Sequence, residues 1–408
     1  MNVKSKFAVG VLVLATVGGG GFLVARQVAE REGEADFQEQ LRLARLEGLP
    51  TTPAEFDATL PKVSSEENAA PIYRELGKMN LGSSTRMLDN SFLWEPSKES
   101  LSSAKSALKN GKDALELIEA ATAKPKCIFD WNWNDGFFDH FPESVTMKNA
   151  AKVLAIRGRL SAVEGDHVSA LADAEAILKI ASHIDDHYNS IGYATKATIH
   201  QIGLHFLATL AVRFPDRTAY RQELEDAVAK WESPRLQPTA RGDLLEILKT
   251  IKDHEKEVQG DDGKEPPIHL SLRAKANVVR AIRKHWASLE APESARSDLI
   301  RQAARDLGKA LEDAPSLAEL YDGIFGYYAI EYLDRYAHGR LAYEALLRAL
   351  RQPTLPKTIK TDDLLSPSDK KPVTYQYEKG RILIEVSRST SDWPSYRLKI
   401  GPPAKSAP

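Results

Sequence analysis

Apolar positions along this 408-residue chain follow three different rhythms. The first is unbroken. From Phe7 to Ala25 the sequence FAVGVLVLATVGGGGFLVA carries no charged side chain. Nineteen residues in a helix span about 28 Å, close to the hydrocarbon thickness of a bilayer. Lys4 and Lys6 precede the run and Arg26 follows it. This pattern predicts a single-pass anchor in the cytoplasmic membrane, with the N-terminus inside and the body on the periplasmic side. Gly18 to Gly21 leave a cleaved signal peptide as the rival reading.

The second rhythm is helical, with apolar residues at three- and four-residue steps. Residues 26–48 form a polar helix with Phe37, Leu41 and Ala44 on one stripe. Thr52-Pro53-Ala54-Glu55 is a capping box with proline at the first helical position, opening a helix to about Leu60. Ser64 to Asn68 starts another, carrying Ile72, Tyr73 and Leu76. Residues 80–96 read as loop, and 97–123 as helix with a break near Asn110-Gly111. From 142 to 352 nearly all is helical, as in Val153, Leu154, Ile156, Leu160, then Ala170, Leu171, Ala174, Ile177, Leu178. Turns fall at Gly165-Asp166, Phe214-Pro215-Asp216, Ser233-Pro234, Gln237-Pro238, Ala291-Pro292 and Ala314-Pro315. Gly158, Gly165 and Ala170 occupy the small positions of a tetratricopeptide-like helix pair, with Leu154 and Ala174 packing between the helices. No second copy appears at the repeat's period of about 34 residues, so the body is solenoid-like without being an array.

The third rhythm is alternation. VTYQYEKGRILIEV, from Val373, has period two, and Lys379-Gly380 sits where a tight hairpin turn belongs. Tyr396 to Ile400 supplies a third strand. The expected protein is mainly α. It has an anchor at 1–25, a helical stalk at 26–60, an α-helical hairpin body at 61–352, a small antiparallel β meander at 353–400 and a disordered tail at 401–408.

Charge narrows the partners. The net charge is −2, so no global basic field draws nucleic acid. Cys127 is the only cysteine, which excludes an intrachain disulfide and a cysteine-based zinc site. No phosphate-binding loop, nucleophile elbow or dinucleotide fingerprint occurs, and no cofactor is implied.

Four stretches remain as candidate chemistry. FDWNWNDGFFDHFP, residues 129–142, is aromatic at six of fourteen positions. Trp131 and Trp133 share a face if extended, as in sugar-stacking platforms, and Asp130, Asp135 and Asp139 can bond hydroxyl groups. The competing reading is a hydrophobic plug at the entrance to the main helical body. His183 and His187 stand four apart on one helix face, a spacing that can bind zinc, while His200 and His205 fall on different faces. The helix at 268–290 carries Arg273, Lys275, Arg280, Arg283 and Lys284 opposite Val278, Val279, Ile282 and Trp286. It reads as a surface for anionic lipid or as a solvated basic face, neutralised by the acidic loop before it. Cys127 follows Lys124 and Lys126 but has no local base.

Several stretches together, SSEENAAPIYREL, FDWNWNDGFFDHFP, AIRGRLSAVEGDHVSALADAEAILKIASHI and SPSDKKPVTYQYEKGRILIEV, resemble a group of uncharacterised bacterial proteins. These have an N-terminal membrane segment, a helical body and a small C-terminal strand module. The resemblance implies that architecture and no activity. The C-terminal piece is also similar to the end of major pseudopilins, keeping Pro367, Pro372 and Tyr375. It departs from their first aspartate and glycine-rich acidic ending, so no calcium site carries over.

These features imply a membrane-anchored scaffold or protein-interaction module of the cell envelope, with a protein partner. The alternative is a helical toroid that binds or acts on polysaccharide through Trp131 and Trp133, with a glycan as partner. Metal-dependent hydrolysis near His183 and His187 is the third reading.

Overall fold

The computed structural model describes residues 27–79, 93–94, 96–130, 143–184, 190–230, 237–257, 271–289, 299, 302, 305–306, 308–309, 329–366, 370–387 and 396–402. The anchor at 7–25 therefore lies outside the described residues. Among the described residues no helix is long and apolar enough to cross a membrane.

The protein is mainly helical with a three-stranded antiparallel sheet at its C-terminal end. The helices are α1 (27–46), α2 (Pro53–Asp57), α3 (Ala70–Gly77), α4 (Lys98–Asn110), α5 (Lys112–Thr122), α6 (Glu143–Glu164), α7 (His167–Ser182), α8 (Ser190–Arg213), α9 (Thr218–Ala229), α10 (Gln237–Glu257), α11 (Leu272–Leu289) and α12 (Ala329–Leu350). Further helical residues lie between 299 and 309. The strands are β1 (Thr374–Glu378), β2 (Arg381–Val386) and β3 (Tyr396–Ile400).

The centre is the packed trio α6, α7 and α8. Small residues let these helices approach. A Cβ on Gly158 of α6 would stand 2.7 Å from the Phe206 ring of α8 and 3.0 Å from Asp173 Cβ of α7. Gly165, at φ +89°, turns the chain from α6 into α7, and Asp166 caps α7 by accepting from Ser169 N at 3.1 Å. Ala170, Ala174 and Leu154 are fully buried between the helices. One ionic group crosses the same helices. Arg157 of α6 donates to Asp173 of α7 at 2.6 Å and also to Glu119 of α5.

The expected break at Asn110-Gly111 separates α4 from α5, with Gly111 N bonded to Ala107 O at 3.0 Å. The capping box forms with a shift. Thr52 accepts from Glu55 N at 3.2 Å, but the Glu55 carboxylate reaches Thr51, accepting from its N at 2.7 Å. The helix stops at Asp57 and buries Phe56 against Leu245 of α10.

The stretch read as a stalk is laid along α11. A Cβ on Gly33 would stand 3.0 Å from Leu272 Cβ. Arg280 pairs with Asp36 at 2.8 Å. Arg283 donates to Gln40 at 2.6 Å and to Glu47 at 2.8 Å, while Lys284 pairs with Asp306 at 2.7 Å. The basic side of α11 is thus a docking surface for α1 and for Asp306, and its neutralising acids come from Asp36, Glu47 and Asp306. Residues 258–270, most of the acidic loop, lie outside the described residues. The other side of α11 buries Val278, Val279, Ile282 and Trp286, as its pattern predicts.

Lys379 (φ 52°) and Gly380 (φ 77°) both take the left-handed conformation that a two-residue hairpin turn demands. The register pairs Tyr375 with Ile384 and Tyr377 with Ile382, then Ile384 with Leu398 and Ile382 with Ile400. Val373, Tyr375, Ile382, Ile384, Val386, Leu398 and Ile400 are all buried. They belong to one continuous core with α3, α5 to α9 and α12, because α12 packs on β2 and β3 and α8 reaches β3.

Candidate recognition site at the ends of the aromatic segment

The aromatic segment is entered through residues 126–130, which are fixed by the start of α3. Asn68 accepts from Ala70 N, at the first residue of α3, at 3.1 Å and from Ile128 N at 2.9 Å. Its amide also donates to Ile128 O at 2.8 Å. Ala69 N donates to Lys126 O at 2.8 Å, and Lys126 N to Glu67 O at 3.2 Å. The result is a short parallel bridge between Asn68 and Lys126. Alternation along this piece sends Cys127 and Phe129 into the core, exposed by only 1% and 3%.

At Asp130 the chain reaches the surface, since that side chain is 90% exposed. Arg74 of α3 then joins the two ends of the segment. Its guanidinium bonds the Asp130 carboxylate, donates to Asp130 O at 2.7 Å and donates to Glu143 Oε1 at 2.9 Å. It also sits 5.6 Å from the centroid of the Phe129 ring. Asp130 and Glu143 are the described residues that flank 131–142 in the sequence, so one arginine ties the two flanks together. Trp131, Trp133, Asp135 and Asp139 lie outside the described residues.

His183 sits in the core near the end of α7, 2% exposed. Its Nε2 lies 2.9 Å from Lys124 O and its Nδ1 3.0 Å from Tyr73 OH. A carbonyl only accepts, so Nε2 carries the proton and Nδ1 accepts from the tyrosine. Burial pulls the His183 pKa down to about 4, helped by the charge of Lys179 and opposed by the Lys124 carbonyl. The ring is neutral at neutral pH and both nitrogens are engaged, so a metal would have to displace one of these bonds. His187 lies outside the described residues. His200 and His205 are likewise held near 4, by burial first and then by the charges of Lys196 and Arg159. Among the described residues no group of three or more His, Cys, Asp or Glu side chains is disposed to hold a metal.

A serine–histidine contact occurs elsewhere, between Ser366 and His338, both fully buried. Ser366 Oγ donates to Ser387 O at 2.7 Å and lies 3.4 Å from His338 Nε2. With the hydroxyl proton directed at a carbonyl, the imidazole is not placed to act as its base.

Arg74 and Tyr73 have no local signal in the sequence. Their partners are 56, 69 and 110 residues away. Comparison with protein-family models, with curated proteins and with solved structures finds no match.

Proposed function

We propose that the chain is an interaction protein of the cell envelope, anchored by residues 7–25, and that it recognises a protein partner through the aromatic segment 129–142. One observation carries the reading: Arg74 binds both Asp130 and Glu143. A segment whose two flanks share one clamp has less conformational entropy to lose when it engages a partner. The tight α6–α8 packing gives that base a rigid support. The exposed Asp130, which precedes Trp131 and Trp133 in the sequence, supports an envelope polysaccharide as the second reading.

The test uses tagged full-length protein, cross-linked in its membrane and purified in mild detergent, against the Trp131→Ala/Trp133→Ala double variant. A protein enriched with the parent and lost from the folded double variant supports the first reading. Loss of glycan-array signal in that variant, without loss of any protein, supports the second. Identical recovery from both chains removes the segment from either role. A double variant that melts far below the parent would show the two rings to be packing residues.

A further inference from the structure

One face of α6 carries Lys148, Lys152 and Arg159, spaced by four and seven residues and therefore aligned along the helix. The remaining faces of α6 are accounted for. Gly158 meets α7 and α8. Arg157 is held by Asp173 and Glu119. Ile156 and Leu160 cluster with Ala104 of α4. The acids of α6 are engaged elsewhere, Glu143 with Arg74 and Glu164 with Lys105. Among the described residues neither Lys148 nor Lys152 has a carboxylate within ion-pairing distance.

Both lysines are half-buried, and Arg159 is only 7% exposed, its guanidinium 5.8 Å from the Phe206 centroid. Burial lowers the Lys148 pKa, and the charge of Lys152 lowers it further. On α8, His205 is kept neutral by burial and by the charge of Arg159. Lys148 and Lys152 repel each other on a partly dehydrated helix face, and an anion between them reverses the sign of the field. Lys148 and Lys152 are about one turn, roughly 6 Å, apart. Half-burial suits a small ligand better than a broad macromolecular surface.

We propose that this face of α6 binds a small, multiply charged anion, with adjacent phosphate or carboxylate groups meeting Lys148 and Lys152. The proposal does not depend on the aromatic segment having a partner.

The experiment titrates the full-length protein with inorganic pyrophosphate and, separately, citrate, by calorimetry at low and moderate salt. Saturable binding is expected for at least one probe, and the preferred probe identifies the phosphate or the carboxylate source. Lys148→Gln/Lys152→Gln should weaken it by roughly tenfold or more. Lys105→Gln, which removes a lysine already paired with Glu164, should leave it within about twofold. A second measurement needs no variant: amine-specific labelling of the parent protein, where the bound probe should protect Lys148. No saturable binding of either probe overturns the proposal. So does unchanged affinity in the folded double variant, or unchanged labelling of Lys148 with a bound probe.

Discussion

His183, His200, His205 and His285 make the fold acid-sensitive. Each is pulled down to about 4, with burial the leading cause. In the unfolded chain a histidine titrates near 6.5. Above that pH neither state binds the proton, and the histidines favour neither. Between about 6.5 and 4 the unfolded chain takes up protons that the folded chain refuses, so stability falls with pH. Each ring contributes at most about 3 kcal/mol over the full interval. Chemical unfolding from pH 8 to 4.5 should show a plateau above 7 and a steep decline below 6.5, and a flat profile across that window would refute it. The reason His183 looks like a ligand in the sequence is its four-residue spacing to His187. Its actual partners, Tyr73 OH and Lys124 O, come from remote segments and leave no trace in local spacing.

Helix α1 shows how far local pattern reaches at the scale of one element. Its helicity is legible from residues 26–48, but its role is not, because a mostly polar helix reads as free-standing. It docks instead through Asp36, Gln40 and Glu47, which meet Arg280 and Arg283 of α11. Arg283→Glu should loosen α1, costing roughly 1–2 kcal/mol and hastening limited proteolysis within 27–46. Adding Glu47→Arg to that variant should recover part of the loss. If the double swap is as sensitive as the single one, the pairing is not what holds α1. Rising salt should loosen the parent chain in the same direction. Signals that are local in origin survive unchanged into the structure: the α4–α5 break at Gly111 and the Lys379-Gly380 turn are set by the residues at the spot. The short α2 departs from its pattern, because Glu55 turns to Thr51 and Phe56 commits to Leu245.

At the scale of the whole molecule, α3, α5 to α9 and α12 share one apolar interior with the sheet. The alternation that begins near residue 372 announces a β segment correctly, while the placement of that segment against α12 and α8 is fixed by non-local packing. Ile382, Ile384, Val386, Leu398 and Ile400, each 3% exposed or less, contribute about 1.5–3 kcal/mol apiece when buried. A chain ending at residue 372 should therefore lose native packing in the helices as well, and the intact protein should melt in one calorimetric transition. Two resolved transitions, the smaller abolished by that truncation, would refute the shared core. The latch between α1 and α11 has a further consequence, in time. Asp36 is bonded to Arg280, 244 residues later. At about 5–20 residues per second, roughly 10–50 s of synthesis separate the two. Throughout that interval α1 waits without its partner, a segment open to chaperones and proteases until about two thirds of the chain has been made.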